Sequence, residues 1–170
     1  MRISRTISVV ILLFIFTIFL IGLNKSQLYD TTNLTGQTLT TFKMKSFQED
    51  EVISNKNLYS NEFTLINFWG SWCLPCREEH STLMALSKIK KIKIMGVNFK
   101  DNESNAINFL KTLGDPYDIK TIDKDGKHSV NFGIYGIPES ILVDNDLKII
   151  AKFVGPLSKK NFDEIINIIK

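Results

Sequence analysis

The hydrophobic pattern changes character several times along the chain. Residues 7–23, ISVVILLFIFTIFLIGL, form an apolar run without a charge, at the roughly 17-residue lower limit for a helix that spans a bilayer. Residues 24–37 are polar and aperiodic, as expected of a tether. Residues 38–170 then read as one compact domain, long enough to bury its own core. Within it, the extended run Phe63–Trp69, FTLINFW, precedes a helical stretch from the cysteines to about residue 88. A second extended run, Ile92–Phe99, precedes a helix Glu103–Leu113 closed by Gly114. Strand, helix, strand predicts a parallel pair joined by a crossover.

The second half of the domain predicts a hairpin. Residues 140–143 and 148–154 are β-prone and flank the turn-like Asp144-Asn145-Asp146. Ser158 is placed to cap a final helix over 161–169, whose Phe162, Ile165, Ile166, Ile168 and Ile169 fall mostly on one face. The sum is an α/β domain with a central mixed sheet flanked by helices, a layout that resembles the thioredoxin fold, preceded by one N-terminal transmembrane helix.

Charge refines the picture at the N-terminus. Arg2, Arg5 and Lys25 account for the formal net charge of +3, so the rest of the chain is formally neutral. No basic field remains to attract nucleic acid. The same residues bias residues 1–6 to the cytoplasm and the domain to the far side of the membrane. A cleaved leader has an apolar core of about 7 to 15 residues and a small-residue cleavage site. Here the run is longer and GLNKSQLYD follows, so an uncleaved anchor is expected, with cleavage as the alternative.

The candidate chemistry lies in FWGSWCLPCREEH, which holds the chain's two cysteines, Cys73 and Cys76. A haem attachment site needs His directly after the second cysteine, where this chain has Arg77. A zinc site would need two more ligands, from His80 and His128, whose spacing is unlike a finger. A purely structural disulfide across so short a loop would add little stability. A redox pair fits better. At the junction of a strand and a helix, Cys73 meets the positive end of the helix dipole, which favours a nucleophilic thiolate. Cys76, about one turn on, is placed to resolve a mixed disulfide. His80 reads as helix surface.

Together LINFWGSWCLPCREEH, MGVNFKDN and GIYGIPES resemble the CcmG/DsbE family, the membrane-anchored periplasmic thiol-disulfide interchange proteins of cytochrome c maturation. The resemblance implies a redox-active Cys73-Cys76 disulfide and a cis-proline at Pro138 facing it. It implies a substrate groove shaped by Trp72, Tyr135 and Pro138, and tuning of the site by Asn67, Glu79 and Glu139. Asn67 stands where thioredoxins proper carry a buried acid; Glu79 and Glu139 are expected to raise the thiol pKa by like-charge repulsion and keep the pair reducing. No catalytic residue is carried over from MGVNFKDN.

The implied partners are apocytochrome c or its maturation proteins, and a membrane thiol-disulfide electron donor of the DsbD/CcdA kind. No cofactor or metal is implied. The domain is expected in the periplasm, held on the inner membrane. The alternative within the same chemistry is a general reductant or oxidase of secreted proteins, of the TlpA/ResA kind; a binding module with incidental thiols is a third reading.

Overall fold

The computed structural model describes residues 2–24, 34–47 and 50–170, with the side chains of 7–21 in the first of these segments. The chain divides into two units, Met1–Asp30 and Thr31–Lys170. The first contains helix α1, Arg2–Asn24, whose side chains over 7–21 are all exposed. Among the described residues, no helix is long and apolar enough to cross a membrane. The tether expected at 24–37 falls largely outside the described residues.

The second unit is a seven-stranded sheet in the order β2-β1-β5-β4-β3-β6-β7. Its strands are β1 Lys43–Ser46, β2 Val52–Ser54, β3 Phe63–Trp69, β4 Ile92–Phe99, β5 Ile119–Asp123, β6 Glu139–Asp144 and β7 Ile149–Val154. β3, β4 and β5 run parallel, and every other pairing is antiparallel. β3 lies inside the sheet between β4 and β6, and six of its seven residues are buried, a pattern that requires cover on both faces.

The helices are α2 Leu74–Leu86, α3 Glu103–Leu113, α4 Lys127–Asn131 and α5 Lys159–Ile168. Local chemistry sets their ends. Asn102 Oδ1 accepts from Ser104 N and Asn105 N to start α3, and Gly114 at φ 97° ends it. Ser158 and Asn161 form a reciprocal capping box on α5. In the β6–β7 turn, Asp144 Oδ1 accepts from Asp146 N and Lys148 N, an Asx-type closure.

Strand alternation divides the core in two. On one face Leu65, Trp69, Ile94 and Leu142 meet α2, α3 and α5 through residues such as Leu83, Phe109 and Ile165. On the other, Ile66, Phe68, Val97 and Ile141 are covered by Leu39, Phe42 and Leu58 and by Phe132 beyond α4. The mixed sheet with helices on both faces is thus present, although extended chain and a short turn cover much of the second face.

Gly96 matters to the site. It pairs with Asn67 across β3 and β4, and a Cβ there would lie 2.7 Å from the Tyr117 ring. Only glycine lets that ring close over the sheet, where it stacks on Trp69 at 5.4 Å. Gly96→Ala is expected to destabilise the protein by about 1–3 kcal/mol through overpacking, measured by urea unfolding; an unchanged midpoint would mean that the ring moves aside freely.

Candidate functional site

The site begins where β3 ends and α2 starts. Cys73 is the N-cap of α2, with extended backbone at φ −87° and ψ 110°. Its Sγ accepts a hydrogen bond from Cys76 N at 3.1 Å, taking the place of a capping oxygen. Pro75 sits in the first turn, where its missing N–H is not needed. Cys73 and Cys76 form a disulfide with S–S 2.04 Å, and both are buried. Once the bond is reduced, the same N–H and the helix dipole favour a thiolate on Cys73.

The turn before Cys73 is fastened from the neighbouring strand. Asp101, just beyond β4, accepts from Ser71 N at 2.6 Å and Ser71 Oγ at 2.8 Å. It also accepts from Asn98 Nδ2 and Asn102 N. Trp72 Nε1 donates to Lys100 O at 3.2 Å. Sequence reasoning took no functional residue from MGVNFKDN, yet this segment holds the active-site turn in place. The available signal was topological: parallel neighbours β3 and β4 deliver their following loops to the same sheet edge.

Beneath the disulfide lies a buried polar network. The inward stripe of α2 is Cys76, Glu79, His80, Leu83 and Leu86. Glu79, 1% exposed, accepts from Asn67 Nδ2 at 2.8 Å and from Leu157 N at 2.7 Å. Asn67 Nδ2 also donates to Ser140 Oγ at 3.0 Å, while its Oδ1 accepts from Tyr117 Oη at 2.9 Å. Burial pushes the Glu79 carboxyl up from its ordinary 4.5 to about 7, against the opposing pull of the Leu157 and Asn67 hydrogen bonds. Burial and then the Glu79 charge hold Tyr117 well above the usual phenol range, so it is a neutral donor.

His80 is not surface. It is buried on the same stripe and meets the Phe109 ring edge-on at 5.2 Å. Its Nε2 lies 3.0 Å from Gly114 O, and because a carbonyl only accepts, Nε2 carries the proton. Burial lowers its pKa, the Gly114 carbonyl partly opposing.

The second acid lies elsewhere. The Ile137-Pro138 bond is cis, and Pro138 leads into β6, where Glu139 opposes Phe68 and Ser140 opposes Asn67. Ser140 faces the Glu79 network, so the adjacent Glu139 points to the opposite face of the sheet. There its Oε1 accepts from Tyr135 N and Gly136 N, and its Oε2 lies 2.9 Å from Lys152 Nζ. The structure therefore joins Asn67 and Glu79 and separates both from Glu139. Trp72 and Leu74, which flank Cys73 in sequence, are 58% and 68% exposed, and Tyr135 is 63% exposed.

A thioredoxin-type sheet whose central strand delivers a Cys-x-x-Cys disulfide to a helix N-terminus defines a thiol-disulfide oxidoreductase. Comparison with known proteins places the chain further. Residues 34–167 match the Redoxin family. The chain is 46% identical over 103 residues to the thiol:disulfide interchange protein CycY of Rhizobium leguminosarum bv. viciae, covering 61% of this chain and 55% of that protein. It is 38% identical to the thiol:disulfide interchange protein DsbE of Tatumella citrea, covering 74% of this chain and 68% of that one. The thioredoxin domain of a thiol-disulfide oxidoreductase from Bacteroides vulgatus superposes with a TM-score of 0.66 at 22% identity, over 80% of this chain and 98% of that one, which shows the shared fold. The chain belongs to the Redoxin family and, within it, to the DsbE-type thiol:disulfide interchange proteins.

The Glu79 shift fixes a sign. The folded state holds this proton up to about pH 7 and the unfolded chain releases it near 4.5, so stability is full below 4.5 and falls as pH rises through 7. The loss is on the order of 3 kcal/mol. Glu79→Gln is expected to flatten this part of the profile between pH 4.5 and 8 in urea unfolding, whatever it does to absolute stability; a slope as steep as in the native protein would contradict the assignment.

Proposed function

We propose that this protein reduces disulfides outside the cytoplasmic membrane, with the disulfide of the Cys-x-x-Cys-His segment of apocytochrome c as its end substrate. The observation that carries the proposal is the Cys73-Cys76 disulfide at the start of α2 with a buried acid of near-neutral pKa, Glu79, one turn further along the same buried stripe. Haem attachment needs free thiols in a compartment that tends to oxidise them. The DsbE and CycY relatives support an interchange role, and the sequence resemblance supports the cytochrome branch.

In the reduced protein, the Cys73 thiolate attacks one sulfur of the substrate disulfide. That bond breaks, a mixed disulfide forms on Cys73, and the other substrate sulfur leaves as a thiolate. Cys76 then loses its proton and attacks Cys73 Sγ, which releases the second substrate thiol and leaves the Cys73-Cys76 disulfide. Two electrons have passed to the substrate, and a membrane thiol donor of the DsbD/CcdA kind returns the pair to its dithiol form. Glu79, one turn beyond Cys76 on the same buried stripe, receives the Cys76 proton. An acid titrating near neutrality suits a transfer that runs both ways. As a carboxylate it also disfavours the neighbouring thiolates, which makes the pair more reducing. Glu139, already met by Lys152, contributes less to that field and more to the loop it holds.

Trp72, Leu74, Tyr135 and Pro138 form the rim that receives the substrate chain. The uncharged apolar run over residues 7–23 is read as what holds the domain at the membrane, with residues 24–37 as tether.

Cys76→Ala removes the resolving thiol and should accumulate mixed disulfides on Cys73. Trapping in native membranes followed by mass spectrometry is expected to recover an apocytochrome or a haem-handling protein, from material that stays with the membrane after alkaline washing. Recovery of unrelated secreted proteins alone would favour a general reductant instead.

A further inference from the structure

The mechanism above leaves one buried ion pair unused. Lys152, in β7, has a side chain that is 1% exposed, a rare state for lysine unless its charge is met. It opposes Ile141, two residues along β6 from Glu139, so both side chains lie on the same face of the sheet. Lys152 Nζ donates to Gly133 O at 2.6 Å and contacts Glu139 Oε2 at 2.9 Å. Glu139 Oε1 in turn accepts from Tyr135 N at 3.2 Å and Gly136 N at 3.0 Å. One ammonium group thereby ties down both ends of the loop over 133–138.

That loop touches the turn that leads into the redox centre. A Cβ on Gly70 would lie 3.2 Å from Ile137 Cδ1, so Ile137 rests against the turn that leads to Cys73. Tyr135, at the loop's crest, faces solvent. The lysine itself is enclosed and reaches neither sulfur nor substrate.

We propose that Lys152 is a positioning residue for substrate docking: through Gly133 and Glu139 it holds Tyr135 and Pro138 at the height where a polypeptide disulfide is presented to Cys73. The proposal rests on the reading of this protein as a reductant of polypeptide disulfides. It separates two kinds of substrate. A small disulfide needs only the Cys73 thiolate, whereas a polypeptide must also seat on the loop.

The test compares the native protein with Lys152→Met and with Lys152→Met/Glu139→Ala; the double variant leaves no unpaired charge in the core, which guards against simple misfolding. Each reduced protein is assayed against an oxidised synthetic Cys-x-x-Cys-His peptide and against a small aromatic disulfide. In both variants KM for the peptide should rise at least about tenfold, within the range that misplaced positioning groups produce. In Lys152→Met, which leaves both acids in place, the rate with the small disulfide should stay within about twofold of native, because helix capping at Cys73 is untouched. Equal slowing of both substrates by Lys152→Met would overturn the proposal, as would an unchanged peptide KM in the folded double variant. A native protein that reduces the small disulfide but not the peptide would overturn the functional reading and this proposal with it.

Discussion

The amide of Asn67 sits at the middle of the central strand with no access to water, and its hydrogen bonds tie four segments together. One N–H₂ group serves both Glu79 on α2 and Ser140 on β6, while the carbonyl receives Tyr117 from the loop before β5. Glu79 passes the connection on to Leu157 at the approach to α5. Buried polar groups are costly unless every partner is present, so this network fixes how the helices sit on the sheet. Because α2 carries both cysteines, it also fixes where the disulfide stands over Glu79.

From that constraint the chemistry follows in order. An asparagine cannot ionise, so the network holds a single titrating acid close to Cys76, and burial rather than a second charge raises its pKa. The helix dipole and the Cys76 N–H favour a thiolate on Cys73 while the acid beneath disfavours one. The second acid of the motif is removed from this balance by the sheet itself: alternate residues of β6 face opposite sides, and Glu139 meets a lysine there.

The parts legible in the sequence are those in which local pattern and environment agree. FTLINFW is apolar throughout and had to be a buried strand; the Cys-x-x-Cys at its end, Gly114 after α3 and Ser158 before α5 follow local rules. β1, β2 and β5 escaped because KMKS, VIS and IKTID are short and mix polar with apolar residues, so their pairing depends on neighbours distant in sequence. His80 illustrates a second kind of failure. As a residue type it reads as surface, yet Cys76, Leu83 and Leu86 define a helical stripe on which position 80 falls. The periodicity was present and residue polarity concealed it. Glu79's partners Asn67 and Leu157 lie 12 and 78 residues away, and Lys152 finds Glu139 across a hairpin, contacts that no local window contains.

The central claim is that burial, with Asn67 as its neutral partner, keeps Glu79 a near-neutral acid. Carbon-13 NMR titration of the Glu79 side-chain carboxyl in the oxidised protein tests it directly. The account predicts a midpoint at about 7. A midpoint near the ordinary glutamate value of about 4.3 would contradict it, since so weak a base would hold the Cys76 proton poorly in the working range.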